Sequence, residues 1–162
     1  MLRQKAKEVA VKDIGGKKMA DIIKKMTAAL WASPSGVAIA APQIGEPLRM
    51  FLVEASVFDK RGFTDEEKRK KRPPVVFINP QIARISKNKL IMQEGCLSVD
   101  GVFGAVPRSN KVTLRALDEK GKKKTVNASE FVAQIFQHEC DHLDGVLFVD
   151  RAIKLAEPKN EK

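Results

Sequence analysis

The chain has 162 residues, a length that suits one globular domain and is short for two. Its hydrophobic fraction of 43% is too high for a disordered chain, and it has neither a long apolar run nor an apolar leader, which argues against a membrane span and against secretion. The 30 basic and 20 acidic residues give a net charge of +10, which favours anionic partners such as RNA or anionic lipid. Two cysteines cannot form a disulfide framework, so we expect a cytoplasmic protein.

The first half of the chain predicts one helix followed by short strands. Apolar residues recur on one helical face between residues 17 and 31, which predicts an amphipathic helix there. The apolar stripe consists of Met19, Ile22, Ile23, Met26 and Leu30. Residues 50–53 and 75–78 are short apolar runs that predict strands, and the strongly basic residues 60–72 between them predict an exposed loop.

The second half of the chain predicts a hairpin and one late helix. Residues 111–117 alternate between apolar and polar side chains, and a turn then leads into a second strand at 122–126. Asn127 is expected to cap the following helix, Gly145 to end it, and the chain from Leu155 to be frayed. Because strands do not alternate with helices, we predict an α+β fold with antiparallel strands around the late helix.

The late helix carries the pattern His138-Glu139-Cys140-Asp141-His142. Residues at i and i+4 share one helical face, so both imidazoles can reach one metal ion, and Glu139 can act as general base toward an activated water. On a helical wheel Glu139 falls within the apolar arc, whereas Asp141 falls on the polar face. A buried carboxylate is costly without a partner or a task, which favours a functional role over a chance match.

Two histidines leave a catalytic metal site without its usual third protein ligand. Cys140 points away from the histidine stripe and is interpreted as a small packed residue. Cys96 follows a glycine that permits close backbone approach, but taken alone it also fits a buried core cysteine. The small residues 36–43 fit either a packed turn and strand or a close approach to substrate, with Gln43 directed at an oxyanion.

These segments, in this order, resemble the three motifs of the peptide deformylase family. They are Gly36-Val37-Ala38-Ile39-Ala40-Ala41-Pro42-Gln43, Glu94-Gly95-Cys96-Leu97-Ser98 and Gln137-His138-Glu139-Cys140-Asp141-His142. The resemblance covers nearly the whole chain and implies one catalytic domain over residues 1–150, followed by a short charged tail over residues 151–162. Ala38 departs from the family pattern by replacing a glycine and Asp100 by replacing a proline, but no ligand and no general base is lost.

The resemblance also implies the residues of the site. The implied metal ligands are Cys96, His138 and His142. The implied catalytic residues are Glu139 as general base and then proton donor, and the Gln43 side chain and the Leu97 backbone N–H as oxyanion donors. The implied substrate-binding residues are Gly36, Val37, Met92, Gly95, Phe131 and Ile135. We further expect Arg108 to pair with Glu94 and to hold the second motif in place.

The activity implied by the resemblance is metal-dependent hydrolysis of the N-formyl group from the N-terminal formyl-methionine of nascent polypeptides, with release of formate. The family favours Fe2+, with Zn2+, Ni2+ or Co2+ as substitutes, whereas the ligand types alone suggest zinc. A basic surface is a candidate contact with the ribosome. Nothing in the sequence indicates a membrane or a specific DNA site as partner.

Two other interpretations fit parts of the sequence. A different zinc-type amide hydrolase, such as a small metallopeptidase, also carries H-E-x-x-H, although ordinary proteases with that motif use a histidine or a glutamate in the place proposed for Cys96. A non-catalytic module that binds RNA or the ribosome would use the basic residues 68–72, and its affinity would fall steeply with salt. An organellar location fits the resemblance as well as a cytoplasmic one.

Overall fold

Two antiparallel sheets and two longer helices make up the fold, for which the structure, a computed structural model, describes residues 2–59, 72–96 and 98–156. The strands are β1 (Ala38–Ala40), β2 (Met50–Val53), β3 (Val75–Ile85), β4 (Lys89–Cys96), β5 (Val99–Ser109), β6 (Lys111–Leu117), β7 (Lys123–Ser129) and β8 (Lys154–Ala156). The α-helices are α1 (Lys17–Ala32), α2 (Glu130–Leu143) and α3 (Phe148–Arg151), and short 3-10 helices lie at Val11–Asp13, Ala41–Ile44 and Ala55–Phe58. The predicted α+β class with antiparallel sheets is confirmed. No helix in these ranges is long and apolar enough to cross a membrane.

The larger sheet has the strand order β1-β2-β3-β6-β7 and packs one face against α2. Phe51 on β2 stacks on Phe77 of β3 with ring centroids 5.0 Å apart, and Phe136 of α2 packs edge-on against Phe77 at 5.2 Å. Burying each such ring stabilises the fold by about 1.5–3 kcal/mol. This packing fixes the orientation of α2, and with it the direction in which the following turns of that helix point.

The predicted first helix is confirmed as α1, which covers the opposite face of the larger sheet. Met50 and Leu52 of β2 lie in the cluster under α1, whereas Phe51 and Val53 lie in the cluster under α2. Successive strand residues point to opposite faces, so a strand covered on both sides reads as a continuous apolar run. That is why residues 50–53 were recognisable as a strand in the sequence.

The smaller sheet, with the strand order β4-β5-β8, is absent from the sequence-based prediction. Its buried face carries the charged side chains of Glu94 on β4 and Arg108 on β5, whereas Ile91 and Phe103 are exposed. A buried strand is recognised in a sequence by apolar residues at every second position. Here charged residues lie on the buried face and apolar ones are exposed, so the sequence pattern indicated neither long strand. The β4–β5 hairpin has an irregular register between Glu94 and Cys96, immediately before its turn.

Strand β8 corrects the expectation that the chain is frayed from Leu155. Leu155 pairs with Gly104 of β5, and the three residues of β8 form the edge of the smaller sheet. A Cβ placed on Gly104 would lie 3.0 Å from Cβ of Ala152 and 3.0 Å from Cδ2 of Leu155. The chain therefore packs directly against the backbone of β5 before it leaves the described residues at position 156.

The variant Gly104→Ala tests this docking. We expect it to lower the free energy of unfolding by about 1–3 kcal/mol, because the added methyl group overpacks the contact with Ala152 and Leu155. Urea unfolding of the metal-free protein measures the change. An unfolding free energy equal to that of the unmodified chain would contradict the packing of β8 on β5.

The predicted hairpin is confirmed as β6 and β7, but the start of the late helix differs from the prediction. Asn127 lies within β7, where its Oδ1 accepts a hydrogen bond from Oγ1 of Thr113 at 2.8 Å, so it does not cap α2. The helix starts at Glu130, whose positive φ of 54° marks a sharp turn out of the strand. Gly145 follows the end of the helix with a φ of 77°, as expected for a glycine that stops a helix.

Candidate metal centre

Helix α2 places His138 and His142 side by side, as the i, i+4 spacing predicts, with their Nε2 atoms 3.2 Å apart. Cys96 at the end of β4 brings its Sγ to 3.2 Å from Nε2 of His142. The ligand atoms of the three residues all lie within 4.8 Å of one another. Neighbouring ligands of a tetrahedral zinc ion are about 3.4–3.6 Å apart, given bond lengths of about 2.0–2.3 Å. The three donors therefore fit a single metal ion.

A buried carboxylate fixes the orientation of His138. Oε1 of Glu94 lies 2.7 Å from Nδ1 of His138, and such a partner directs the Nε2 lone pair toward a metal. Burial alone would raise the pKa of Glu94, but hydrogen bonds from Arg108 and His138 lower it to about 2. Burial alone would lower the pKa of His138, yet hydrogen bonds to Cys96 and Glu94 raise it to about 10. The ionised carboxylate of Glu94 thus favours positive charge on the ring of His138.

Arg108 of β5 connects Glu94 to the helix. Its Nε and Nη2 donate to the two carboxylate oxygens of Glu94 at 2.7 and 2.8 Å, which is the pairing expected from the sequence. Its Nη1 donates to Oδ2 of Asp141 at 2.7 Å. Asp141 is buried, which corrects its placement on a solvent-facing polar side of the helix. The helical wheel marks that side as polar, but β5 covers it and supplies a buried charge as partner.

Glu139 is buried and lines the cavity described below. Its Oε2 has no hydrogen-bond partner among the residues that the structure describes. Burial raises the pKa of Glu139 to about 7, although the positive charge of His138 acts in the opposite direction. A carboxyl group with a free oxygen at the cavity wall and a pKa near neutrality can accept a proton and return it.

Burial determines the protonation of His142 and Cys140, the other histidine and the other cysteine of the chain. Burial, with the charges of His138 and Arg108, lowers the pKa of His142 to about 3, so the ring is neutral and keeps a lone pair for a metal. Cys140 is buried in the core, and burial raises the pKa of its thiol to about 12. A thiol of that kind is unreactive, which agrees with its interpretation as a small packed residue.

Gln43 extends toward the centre from the turn that follows β1. The backbone N–H of Ala40 donates to Oε1 of Gln43 at 2.8 Å, and this bond turns the amide nitrogen toward the centre. Nε2 donates to Oγ of Ser98 at 2.9 Å and lies 3.8 Å from Sγ of Cys96. Sequence analysis did not single out Ser98, which is the nearest acceptor for this amide. Leu97, the second predicted oxyanion donor, lies outside the described residues.

A cavity of about 490 Å³ opens beside the centre, a volume within the range of about 300–1,000 Å³ that is common for ligand sites. The predicted substrate residues that line it are Gly36, Val37, Gly95, Phe131 and Ile135. Met92, the sixth, lies on β4 but is not among the lining residues. Phe103 of β5 lines the cavity instead, and a Cβ on Gly95 would lie 2.9 Å from its Cε1 atom. No role was assigned to Phe103 from the sequence.

Of the two departures from the family pattern, Ala38 itself lines the cavity, and Asp100 lies in the chain between two lining residues, Val99 and Gly101. Ala38 pairs with Val53 as the first residue of β1, and it is buried in the main core. The methyl group that replaces a glycine hydrogen is therefore accommodated by packing in an extended strand. Asp100 lies in β5, directly after the β4–β5 turn.

Known proteins are similar in sequence to this chain. The sequence model of the family described as polypeptide deformylase matches residues 1–158. The chain is 41% identical over 158 residues to peptide deformylase 1A, chloroplastic/mitochondrial, of Arabidopsis thaliana, a match that covers 94% of this chain and 58% of the relative. It is 38% identical to a peptide deformylase of Desulforudis audaxviator over 98% of this chain and 92% of the relative. The chain thus spans less than two thirds of the Arabidopsis relative and nearly all of the bacterial one.

Solved structures share the fold at a somewhat lower identity. A peptide deformylase from Synechococcus elongatus in complex with actinonin superposes with a TM-score of 0.78 at 34% identity, covering 94% of this chain and 74% of that one. A peptide deformylase from Plasmodium falciparum gives a TM-score of 0.80 at 32% identity, covering 94% and 81%.

Proposed function

Because this chain belongs to the peptide deformylase family, we propose that it hydrolyses the N-formyl group of N-terminal formyl-methionine on nascent polypeptides and releases formate. The observation that carries the proposal is the convergence of one thiol and two imidazoles beside a cavity whose wall includes a buried carboxyl group. This set of groups suits the hydrolysis of a small amide, because it combines a metal-ligand cluster with a proton acceptor.

Cys96, His138 and His142 would hold one divalent metal ion. The donor set fits such an ion, since three donor atoms converge and Glu94 orients one of the imidazoles. When bound, the ion would polarise the formyl group as a Lewis acid and lower the pKa of a water molecule. Family resemblance favours Fe2+, with Zn2+, Ni2+ or Co2+ as substitutes, because thiolate and imidazole ligands accept all four.

Glu139 is proposed as the general base and then the proton donor. Its unpartnered Oε2 takes a proton from the water that attacks the formyl carbon, and the same carboxyl group returns it to the amine when the C–N bond breaks. Burial holds the pKa of Glu139 at about 7, close to the value at which both transfers are efficient. The products are formate and a free N-terminus.

Gln43 is proposed to hold the oxyanion together with the backbone N–H of Leu97. The Ala40 N–H fixes the amide so that its nitrogen faces the centre, and the oxyanion would take the place of Ser98 as acceptor. The negative charge that develops on the formyl oxygen is stabilised by donors that are already in position, at no cost of reorganisation.

The variant Gln43→Ala should lower kcat by roughly 10²–10³-fold, which is typical for the loss of one oxyanion donor. The KM for a formylated peptide should change much less, because the ground-state carbonyl needs the donor less than the oxyanion does. Steady-state formate release separates the two parameters. A variant with an unchanged kcat would contradict the proposed role of Gln43.

The substrate backbone is proposed to add to the sheet edges beside the centre. Strand β1 is one edge of the larger sheet, and β4 is the edge of the smaller sheet opposite β8. Val37 precedes β1 and Gly95 lies near the end of β4, and both line the cavity. An extended peptide between them could pair with both edges, while Phe131 and Ile135 of α2 would receive the methionine side chain.

Formate release tests the proposal. Protein loaded with metal should release formate from formyl-Met-Ala-Ser and should leave the acetylated analogue intact. A metallopeptidase, the first alternative, would cut an internal peptide bond instead, and the cysteine at the third ligand position favours the deformylase. Absence of formate with metal-loaded protein would contradict the proposal.

The partners and the location remain predictions. The basic segment that prompted the idea of ribosome or RNA contact lies mostly outside the described residues, and its last residue, Arg72, pairs with Asp59. We propose formylated nascent chains as the substrate, with the ribosome as their source. The cytoplasm is the expected location, with an organelle as the alternative suggested by the chloroplastic and mitochondrial names of plant relatives.

A further inference from the structure

A row of ion pairs leads from the candidate metal centre to the surface of α3. Arg151, the last residue of α3, donates from Nε to Oδ2 of Asp141 at 2.7 Å and from Nη2 to Oδ1 at 3.0 Å. Asp141 also accepts a hydrogen bond from Arg108. Arg108 donates hydrogen bonds to Glu94, and Glu94 is hydrogen-bonded to the ring of His138. We call the four charged residues Arg151, Asp141, Arg108 and Glu94 the ion-pair row. Its inner members are buried, whereas the Arg151 side chain is 50% exposed.

We propose that Arg151 is a positioning residue that acts through the ion-pair row on the ring of His138. The inference rests on the proposed metal site, and it assigns a task to a residue in the segment after position 150, which sequence analysis treated as a charged tail. Arg151 touches no donor atom itself. Arg151 acts on His138 through the groups that lie between them, the carboxylates of Asp141 and Glu94 and the guanidinium of Arg108.

The charges of the ion-pair row explain why its outer member matters. Arg108 lies between two carboxylates, those of Glu94 and Asp141, and a single guanidinium cannot neutralise both. Arg151 neutralises Asp141 with a second two-point contact, so that Nε and Nη2 of Arg108 stay on Glu94. Without Arg151, Asp141 would depend on Arg108 alone and would draw its guanidinium away from Glu94.

A loosened Glu94 would affect the centre directly. The 2.7 Å contact between Oε1 of Glu94 and Nδ1 of His138 is the one that sets which way the imidazole faces. Asp141 also lies on α2 one turn after His138, so the ion-pair row joins the metal-ligand turn of the helix to both long strands of the smaller sheet. Removal of the Arg151 charge should therefore increase the rate at which the metal dissociates.

The chain provides a matched control that pairs with the same short helix. Arg3 forms an ion pair with Asp150, the neighbour of Arg151, and this pair is also exposed. Asp150 accepts a further hydrogen bond from the Leu147 backbone and has no contact with the buried residues of the ion-pair row among its described hydrogen bonds. Arg3→Met thus removes a similar exposed charge that pairs with α3, and among the described hydrogen bonds Arg3 has none to a member of the ion-pair row.

The experiment compares Arg151→Met and Arg3→Met as Co2+-loaded proteins. We expect Arg151→Met to release Co2+ to a chelator roughly three- to tenfold faster than the unmodified chain, a smaller effect than the 10–100-fold typical for a direct partner of a ligand. The visible Co2+ spectrum should shift, because the imidazole geometry changes. Arg3→Met should match the unmodified chain in both respects, and Arg151→Lys, which keeps the charge but not the two-point contact, should fall between.

Combination with Glu94→Gln separates a positioning role from a general loss of stability. If Arg151 acts through Glu94, the Arg151→Met effect on Co2+ release should vanish in a Glu94→Gln background, as expected for coupled residues. Equal release rates for Arg151→Met and Arg3→Met, or an undiminished effect in the Glu94→Gln background, would overturn the proposal. If Arg151→Met does not fold, release from Arg151→Lys at the unmodified rate overturns it. Release is measured without substrate, so a failure of the unmodified chain to produce formate would contradict the proposed function and not this inference.

Discussion

Glu139→Gln is expected to reduce formate release by roughly 10²–10⁴-fold, the usual contribution of a positioned general acid–base group. The amide has nearly the shape of the carboxyl group, so the buried position stays filled, but it cannot take a proton from water or return one to the amine. The three donor atoms belong to other residues, so metal content should stay at the level of the unmodified chain. Formate release and metal analysis of the same preparation measure both quantities.

The matched control for this prediction is Glu130→Gln in the first turn of the same helix. Glu130 is exposed and lies two turns before the donors, so its variant should retain full activity. If the Glu139→Gln protein deformylates at the normal rate, Glu139 is not the general base. A Glu139→Gln protein that loses its metal would show instead that Glu139 supports the centre.

Arg108→Met is expected to weaken metal retention by roughly tenfold, the low end of the range typical for a direct partner of a ligand, because Arg108 acts on His138 through Glu94. It should also lower the free energy of unfolding by about 3–5 kcal/mol, because two buried carboxylates lose their shared cation. Methionine keeps most of the apolar stem, so the change is mainly one of charge and hydrogen bonding. Equilibrium dialysis against a chelator and urea unfolding of the metal-free protein measure the two effects.

Arg72→Met is the control for the loss of an arginine in an ion pair. Arg72 pairs with Asp59 at an exposed position, where such pairs contribute roughly 0–1 kcal/mol, so its variant should change neither metal retention nor stability measurably. If Arg108→Met kept its metal and its activity, Arg108 would not hold the second motif in place, whatever its effect on unfolding.

The parts of the fold that could be predicted are those in which local pattern and tertiary packing agree. Helix α1 buries four of its five predicted stripe residues, with Ile23 only partly buried, and β6 has the predicted bounds. The two-sided burial of β2 matches its apolar run. In each of these elements the buried face is apolar, which is the signal that periodicity detects.

The parts that could not be predicted are those in which charge is buried. Strands β4 and β5 carry Glu94 and Arg108 inside and leave Phe103 half exposed, so their pattern is inverted. Asp141 lies on what a helical wheel calls a polar face, yet it is covered and paired. Such contacts join residues far apart in the chain, and no local rule assigns their partners.

The same division holds for the candidate site. The pair His138 and His142 follows from helical spacing alone, whereas the approach of Cys96 depends on the register of a hairpin that the sequence did not reveal. The family resemblance supplied that ligand and Gln43. Ser98 belongs to the second motif but had no predicted role, and Arg151 was not indicated at all, because their roles are set by side-chain contacts in three dimensions.

We propose that the protein removes formyl groups once a divalent metal is bound by Cys96, His138 and His142. The most direct test counts formate and free amino groups together as protein stripped by a chelator is reloaded with metal and given formyl-Met-Ala-Ser. We expect one new amino group for each formate, no peptide fragments, and activity that rises with bound metal up to one ion per chain. Formate release that does not depend on metal, or fragments without formate, would contradict it.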